Sequence, residues 1–171
     1  MATIPVFFFV WGPLLVLVMF WWIGRWSRRI GVARALESDR DGYGLEDVRQ
    51  LFSFYGPQGR ETYRHRLLPA DAAFAVTYGL VGFGIMLGLM QRGQPVWVAA
   101  LCGGGWMLGC VVDLLEGLSL ARLLDRYPAL EEKTVGLASM LTQAKLWLFG
   151  LGILGVVAGF ALAIPRNVLL P

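Results

Sequence analysis

Four long apolar runs, separated by charged stretches, dominate the pattern of hydrophobic and polar positions along the chain. An α-helix needs about 20 apolar residues to cross about 30 Å of hydrocarbon, and four segments meet that requirement. They run from about Ile4 to Ile23, from Ala72 to Met90, from Val96 to Val112 and from Leu146 to Ile164. None alternates in polarity as the strands of a membrane barrel do. The sequence therefore predicts an all-α, polytopic membrane protein with one four-helix transmembrane domain over residues 1–171.

Composition supports the same class and excludes several functions. Of the 171 residues, 57% are hydrophobic and 16% charged, and the mean hydropathy is +0.60, whereas soluble domains carry about 25% charged residues. A soluble enzyme is therefore excluded. His65 is the single histidine, and Cys102 and Cys110 would lie about 12 Å apart on one helix, beyond the reach of a disulfide. We expect no metal site and no cofactor.

The basic residues predict the orientation in the membrane. Nine arginines fall between Arg25 and Arg66, and the third loop adds Arg122, Arg126 and Lys133, whereas the opposite side has only Arg92 and Arg166. By the positive-inside rule the loop over residues 24–70 is cytoplasmic and both termini face away from the cytoplasm. We expect a bacterial cytoplasmic (inner) membrane protein whose first apolar run stays as an anchor. The net charge of +3 then favours anionic lipid as a partner, and not nucleic acid.

The long first loop contains an amphipathic helix. Four apolar residues recur at spacings of three and four, with charged and amide side chains on the opposite face, and Gly56 and Pro57 then interrupt the pattern. This helix could lie on the membrane surface or dock a partner, or it could cap the cytoplasmic end of the bundle. Its apolar positions are Leu45, Val48, Phe52 and Tyr55.

Glycines recur in helical register inside three of the predicted spans. Pairs of small residues four apart let the backbones of two helices approach closely. Such a face could serve packing within the chain, which is the default, or docking to another subunit. The pairs are Gly84 and Gly88, Gly105 and Gly109, and Gly155 and Gly159.

Four ionisable residues at the edges of the spans are the candidate functional residues. Each costs several kcal/mol in a membrane unless it is paired or hydrated. They are Asp71, Asp113, Glu116 and Lys145, with Tyr78 on the face of Asp71 but deeper. Crowded carboxylates disfavour one another's ionisation until one is neutral and can donate a proton. Alternatively the group is purely structural, with Asp71 favoured at a helix start and the other acids paired with Lys145 or an arginine.

These residues also carry a resemblance. The segment Pro69 to Phe74 with Tyr78, then Asp113-Leu114-Leu115-Glu116, then Ala138-Ser139 with Thr142 and Lys145, resembles a pattern met in uncharacterised small bacterial four-helix membrane proteins. Those proteins typically read Asp-x-x-Glu-Asn in the third span, where this chain has Gly117 instead of the asparagine. More remotely, the arrangement resembles the family of the mammalian sterol isomerase and the sigma-2 receptor, whose intramembrane acids face a cationic ligand or intermediate.

Three functions remain open from the sequence. The first is an accessory or structural subunit of a larger membrane complex or homo-oligomer. The second is a membrane enzyme or binding protein for an isoprenoid, a sterol-like lipid or a hydrophobic amine. There Asp113, Glu116 or Asp71 would act as acid or counter-ion, Lys145 would set their protonation, and Tyr78 would line the ligand site with Glu116 and Lys145. The third is a small proton-coupled transporter, which four helices could form only as an oligomer.

Overall fold

The computed structural model describes residues 11–29 and 42–163, and this part of the chain is all-α. It forms four helical segments. The first is α1, Gly12–Arg29, and the second comprises α2, Leu45–Thr62, a π-helical turn, Tyr63–Leu67, and α3, Leu68–Gln91. The third is α4, Val96–Arg126, and the fourth is α5, Glu132–Ala163.

Three of the four segments are long and apolar enough to cross a membrane. They are Leu45–Gln91, Val96–Arg126 and Glu132–Leu162. They contain the predicted second, third and fourth spans except for Ala163 and Ile164, and Ile164 lies outside the described residues. The predicted first span, from Ile4 to Ile23, overlaps α1 from Gly12 onward, and its residues 4–10 also lie outside the described part of the chain. The described residues thus form a helical protein with three candidate transmembrane helices.

Helices α4 and α5 are each about four turns longer than the apolar runs that predicted them. The prediction ended the third span at Val112 and began the fourth at Leu146, because charged residues lower the local hydropathy there. The backbone nevertheless stays helical to Arg126 and from Glu132. Beyond the charges, apolar residues resume on one face of each helix, and they are buried: Leu120, Leu123, Leu124, Val135 and Ala138.

Helix α2 packs its apolar face on these extensions and is named the cap. Val48 and Phe52 are fully buried in one hydrophobic cluster with the α4 and α5 residues, so the amphipathic helix covers one end of the α4–α5 pair. The helix is kinked at Gly56, whose φ is +63°, where the sequence predicted an interruption. After the kink, Arg60 donates a hydrogen bond to the Phe52 carbonyl oxygen at 2.7 Å and lies over the Tyr127 ring. These contacts tie both halves of the cap to the end of α4.

Glycines bring the three long helices into backbone contact. A Cβ added at Gly103 on α4 would overlap the carbonyl oxygen of Gly82 on α3. On the other side of α4, a Cβ at Gly105 would lie 2.7 Å from the backbone nitrogen of Gly152 on α5. One at Gly155 would overlap the Cys102 carbonyl oxygen. The helices therefore cross at van der Waals distance, which only glycine permits at these positions.

The predicted glycine pairs lie at different contacts between these helices. Gly105 and Gly155 lie at the α4–α5 crossing, and Gly109 lies beside the Tyr78 ring and Leu148. The remaining three predicted positions, Gly84, Gly88 and Gly159, are buried. The tightest α3–α4 contact uses two glycines outside the predicted pairs, Gly82 and Gly103.

Candidate functional site

The candidate residues lie on the buried stripes of three helices. On α4, Gly109, Asp113 and Glu116 follow one another at spacings of four and three and share one buried face. On α5, Thr142 and Lys145 are three apart and both buried. Close packing at the glycine crossings holds these stripes against each other, so the polar side chains are brought together away from water.

Asp113, Glu116 and Lys145 form a buried charge cluster. The Lys145 Nζ lies 3.0 Å from Asp113 Oδ1 and also pairs with Glu116 Oε2. The side chains of Lys145, Asp113 and Glu116 are 10%, 3% and 1% exposed. One ammonium thus bridges two carboxylates on successive turns of α4, and this bridge joins α4 to α5.

Tyr78 adds α3 to the cluster. Its hydroxyl donates a hydrogen bond of 2.9 Å to Asp113 Oδ2, so Asp113 binds Lys145 through one oxygen and Tyr78 through the other. Hydrogen bonds to a charged acceptor are stronger than neutral ones. The three long helices are therefore joined by a single carboxylate.

A chain of hydroxyl groups extends the cluster towards the cap. Thr142 Oγ1 donates to one of three acceptors, Glu116 Oε1, the Ala138 carbonyl oxygen or the Tyr43 hydroxyl, since a hydroxyl has only one hydrogen. The Tyr43 hydroxyl lies 3.2 Å from Thr142 Oγ1, and the Tyr43 backbone N–H donates to Ser139 Oγ at 2.9 Å. Tyr43 lies two residues before the cap, and it is buried. The charge cluster thus reaches the start of the cap through two hydroxyl groups.

Aromatic rings surround the other side of the cluster. The Tyr78 ring packs edge to face against Phe74 and Phe149, with centroids 5.3 and 5.5 Å apart, and against Trp106 at 6.3 Å. Trp106 stacks on Phe149 and donates its indole N–H to the Phe149 carbonyl oxygen at 3.3 Å. These rings exclude water from the Tyr78 side of Asp113, which strengthens the ion pairs by lowering the local dielectric constant.

The structure brings together Asp113, Glu116, Lys145 and Tyr78 among the predicted site residues. Asp71 lies in the first turn of α3 and is half-buried, about 10 Å along the helix from Tyr78 by helical rise. From α3, Tyr78 donates a hydrogen bond to Asp113.

Two contributors to the network were missed as site residues. Thr142 was part of the resemblance but not a predicted site residue. Its spacing of three from Lys145 nevertheless puts both on one face of α5. Tyr43 carries no periodic signal, because it precedes the helix and reaches Thr142 only through the tertiary fold.

The geometry limits the chemistry available at the cluster. Two carboxylates and an ammonium that bind one another can hold helices together, exchange a proton, or balance the charge of a cation. Among residues 11–29 and 42–163, no group of three or more His, Cys, Asp or Glu side chains could hold a metal ion.

Comparisons with protein-family models, curated proteins and solved structures find no match for this chain. The resemblance to small bacterial membrane proteins and to the sterol isomerase family therefore stays a prediction.

Proposed function

We propose that this chain is a four-span protein of the bacterial inner membrane that serves as a structural subunit of a larger membrane assembly. In this proposal α1 and the apolar residues before it supply the first span, and the cap lies in the cytoplasm with both termini on the opposite side. The observation that carries the proposal is that Asp113, Glu116, Lys145 and Tyr78 bind one another within the chain.

An enzyme needs a reacting group that can reach its substrate. The ionisable side chains of the cluster are at most 10% exposed. The two carboxylates bind Lys145, Tyr78 and Thr142 from the chain's own helices. The outer faces of α1, α4 and α5 are apolar along most of their length, with side chains such as Leu17, Leu101 and Trp147 more than 60% exposed. These features support a protein whose polar groups stabilise its own fold and whose surface contacts other membrane components.

The test is native mass spectrometry of the protein extracted from its own membrane in mild detergent, with identification of every protein and lipid that comigrates. We expect a mass well above 18.9 kDa with fixed stoichiometry, unchanged when the charge of Glu116 is removed by Glu116→Gln in a folded protein. A monomer that carries one defined apolar molecule, lost in Glu116→Gln, contradicts the proposal and supports the second candidate.

The second candidate is a binding protein or enzyme for a cationic, apolar ligand. Asp113 and Glu116 share one ammonium, so the three groups carry a net negative charge when all are ionised. Aromatic rings beside an anionic group are typical of sites for ammonium compounds, and Tyr78 belongs to both the cluster and the aromatic group. Rearrangement of Phe74 or Phe149 would be needed to admit such a ligand.

One face of α1 supports anionic phospholipid as a partner of the proposed subunit. Its positions follow one another at spacings of four and three, and all are exposed: Leu14, Val18, Trp21, Arg25 and Arg28. The Arg25 guanidinium lies 5.6 Å from the centre of the Trp21 ring, at the end of the apolar part of the stripe. An acyl chain would lie along the apolar residues while the two arginines bind the phosphate.

We expect the double variant Arg25→Gln, Arg28→Gln to bind phosphatidylglycerol about thirtyfold more weakly, because each arginine near an anionic surface contributes about 1 kcal/mol. Binding is measured by native mass spectrometry with phosphatidylglycerol or phosphatidylcholine added to the delipidated protein. Arg49→Gln is the matched control, since the Arg49 guanidinium already pairs with Glu46 on the cap at 3.1 Å. Equal loss in control and double variant would rule out a site on α1.

A further inference from the structure

The three residues before the cap, Gly42 to Gly44, dock on α5 and are named the latch. Gly42 has a φ of +86°, and a Cβ there would lie 2.9 Å from Ser139 Oγ and overlap the Gln143 amide. Glycine therefore allows both the backbone conformation and the close approach. The next residue, Tyr43, uses its N–H on Ser139 and its hydroxyl on Thr142.

The latch continues directly into the cap. The Gly44 N–H donates to the Asp47 carboxylate at 2.8 Å, and the Val48 N–H donates to the Gly44 carbonyl oxygen at 3.2 Å, so Gly44 begins the helix. These bonds join the last residue of the latch to the first turn of the cap, so the part of the chain that docks on α5 is directly continuous with that turn. Tyr43 is 6% exposed and belongs to the same hydrophobic cluster as Phe52.

Thr142 connects the latch to the charge cluster. Its single hydrogen has three possible acceptors, Glu116 Oε1, the Ala138 carbonyl oxygen and the Tyr43 hydroxyl, so the hydroxyl has discrete alternative arrangements. The position and charge of Glu116 determine which acceptor the Thr142 hydroxyl binds. Lys145 in turn pairs with Glu116. The strength of the Tyr43 hydrogen bond depends on the same choice, because hydrogen bonds in a chain polarise one another.

We propose that the latch couples the charge cluster to the cap, so that a change in the charge of Glu116 loosens the docking of the cap on α4 and α5. The groups that face this chain from the elements packed around it are Asp113 and Glu116 from α4, Lys145 and Thr142 from α5, Tyr78 from α3 and Tyr43 from the latch. Any event at the cluster that alters the bond from Thr142 to Glu116 is then transmitted to the cytoplasmic end of the protein.

The test is a double-mutant cycle measured by amide hydrogen exchange on the full chain in lipid nanodiscs. Tyr43→Phe removes the hydroxyl, Glu116→Gln removes the charge with little change in shape, and the readout is the exchange rate of peptides covering residues 42–55. We expect Tyr43→Phe to raise that rate about fivefold, the effect of one hydrogen bond. Glu116→Gln should also raise it, because it alters the acceptor of the hydrogen bond from Thr142. Phe54→Ala on the exposed face of the cap is the control and should not raise the rate, since alanine is the better helix former.

Coupling is read from the double variant. If the latch transmits the state of the cluster, the effects of the two substitutions do not multiply. The increase in exchange rate in the double variant is then about one third of the product of the increases in the two single variants. Independent effects that multiply, or a Glu116→Gln variant with an unchanged cap, overturn the proposal. Should Glu116→Gln fail to fold, Thr142→Val removes the hydrogen bond between Thr142 and Glu116 instead. Tyr43→Phe should then add nothing to Thr142→Val, and a further increase in exchange would contradict the coupling.

Discussion

Replacing Lys145 with methionine is expected to lower the stability of the folded protein by about 3–5 kcal/mol, because removal of one partner leaves buried charges without compensation. Asp113 and Glu116 would then face each other at successive turns of α4 with no ammonium between them. Total stabilities of domains are about 5–15 kcal/mol, so much of the protein should fail to accumulate. The effect is measured as the thermal unfolding of the detergent-purified variant, monitored by circular dichroism.

Two further variants show whether the loss comes from charge. Lys133→Met removes an exposed lysine from the same helix and should shift the unfolding temperature little. Combining Lys145→Met with Asp113→Asn and Glu116→Gln makes the cluster neutral at nearly constant shape, and it should recover at least half of the lost stability. A Lys145→Met protein as stable as Lys133→Met would show that the ion pairs do not hold the helices together.

The same variants separate the two candidate functions. A structural subunit with a neutral cluster should still assemble with its partners once it is folded. A protein that uses Asp113 or Glu116 to bind a cation should fold in the neutral form and lose its ligand. The triple variant is therefore informative whichever candidate is correct.

The helical architecture could be predicted because burial in lipid leaves a strong signal in hydropathy. The extensions of α4 and α5 were missed for the same reason, since Asp113, Glu116 and Lys145 end the apolar windows. The signal was nevertheless present in the spacing of Leu120, Leu123 and Leu124. Helical periodicity, and not mean hydropathy, detects a helix that continues beyond a group of charged residues.

The candidate site was predictable only in part. Asp113 and Glu116 share a face because they are three residues apart, and their burial requires a cation, for which Lys145 was the candidate within the spans. Which α3 residue meets them depends on the relative height of α3 and α4, which the crossing of Gly82 and Gly103 sets. Tertiary docking alone brings Tyr43 to Thr142, and no local pattern contains that information.

Replacing Gly103 with alanine is expected to cost about 2 kcal/mol, as overpacking of a tight contact does. The added methyl group would overlap the Gly82 carbonyl oxygen, which belongs to the backbone of α3 and cannot rotate away. Helices α3 and α4 must then separate, and the hydrogen bond from Tyr78 to Asp113 lengthens with them. Thermal unfolding, under the conditions used for Lys145→Met, measures the loss.

The neighbouring Gly104→Ala is the matched control. A Cβ at Gly104 meets nothing within 4 Å among the described residues, and alanine is about 1 kcal/mol better than glycine inside a helix, so this variant should be as stable as the wild type or more stable. The two substitutions add the same atoms to consecutive residues of one helix, and only one of them points at another backbone. Equal unfolding temperatures would mean that α3 and α4 do not cross at Gly103, and the Tyr78–Asp113 contact that depends on this crossing would have to be abandoned with it.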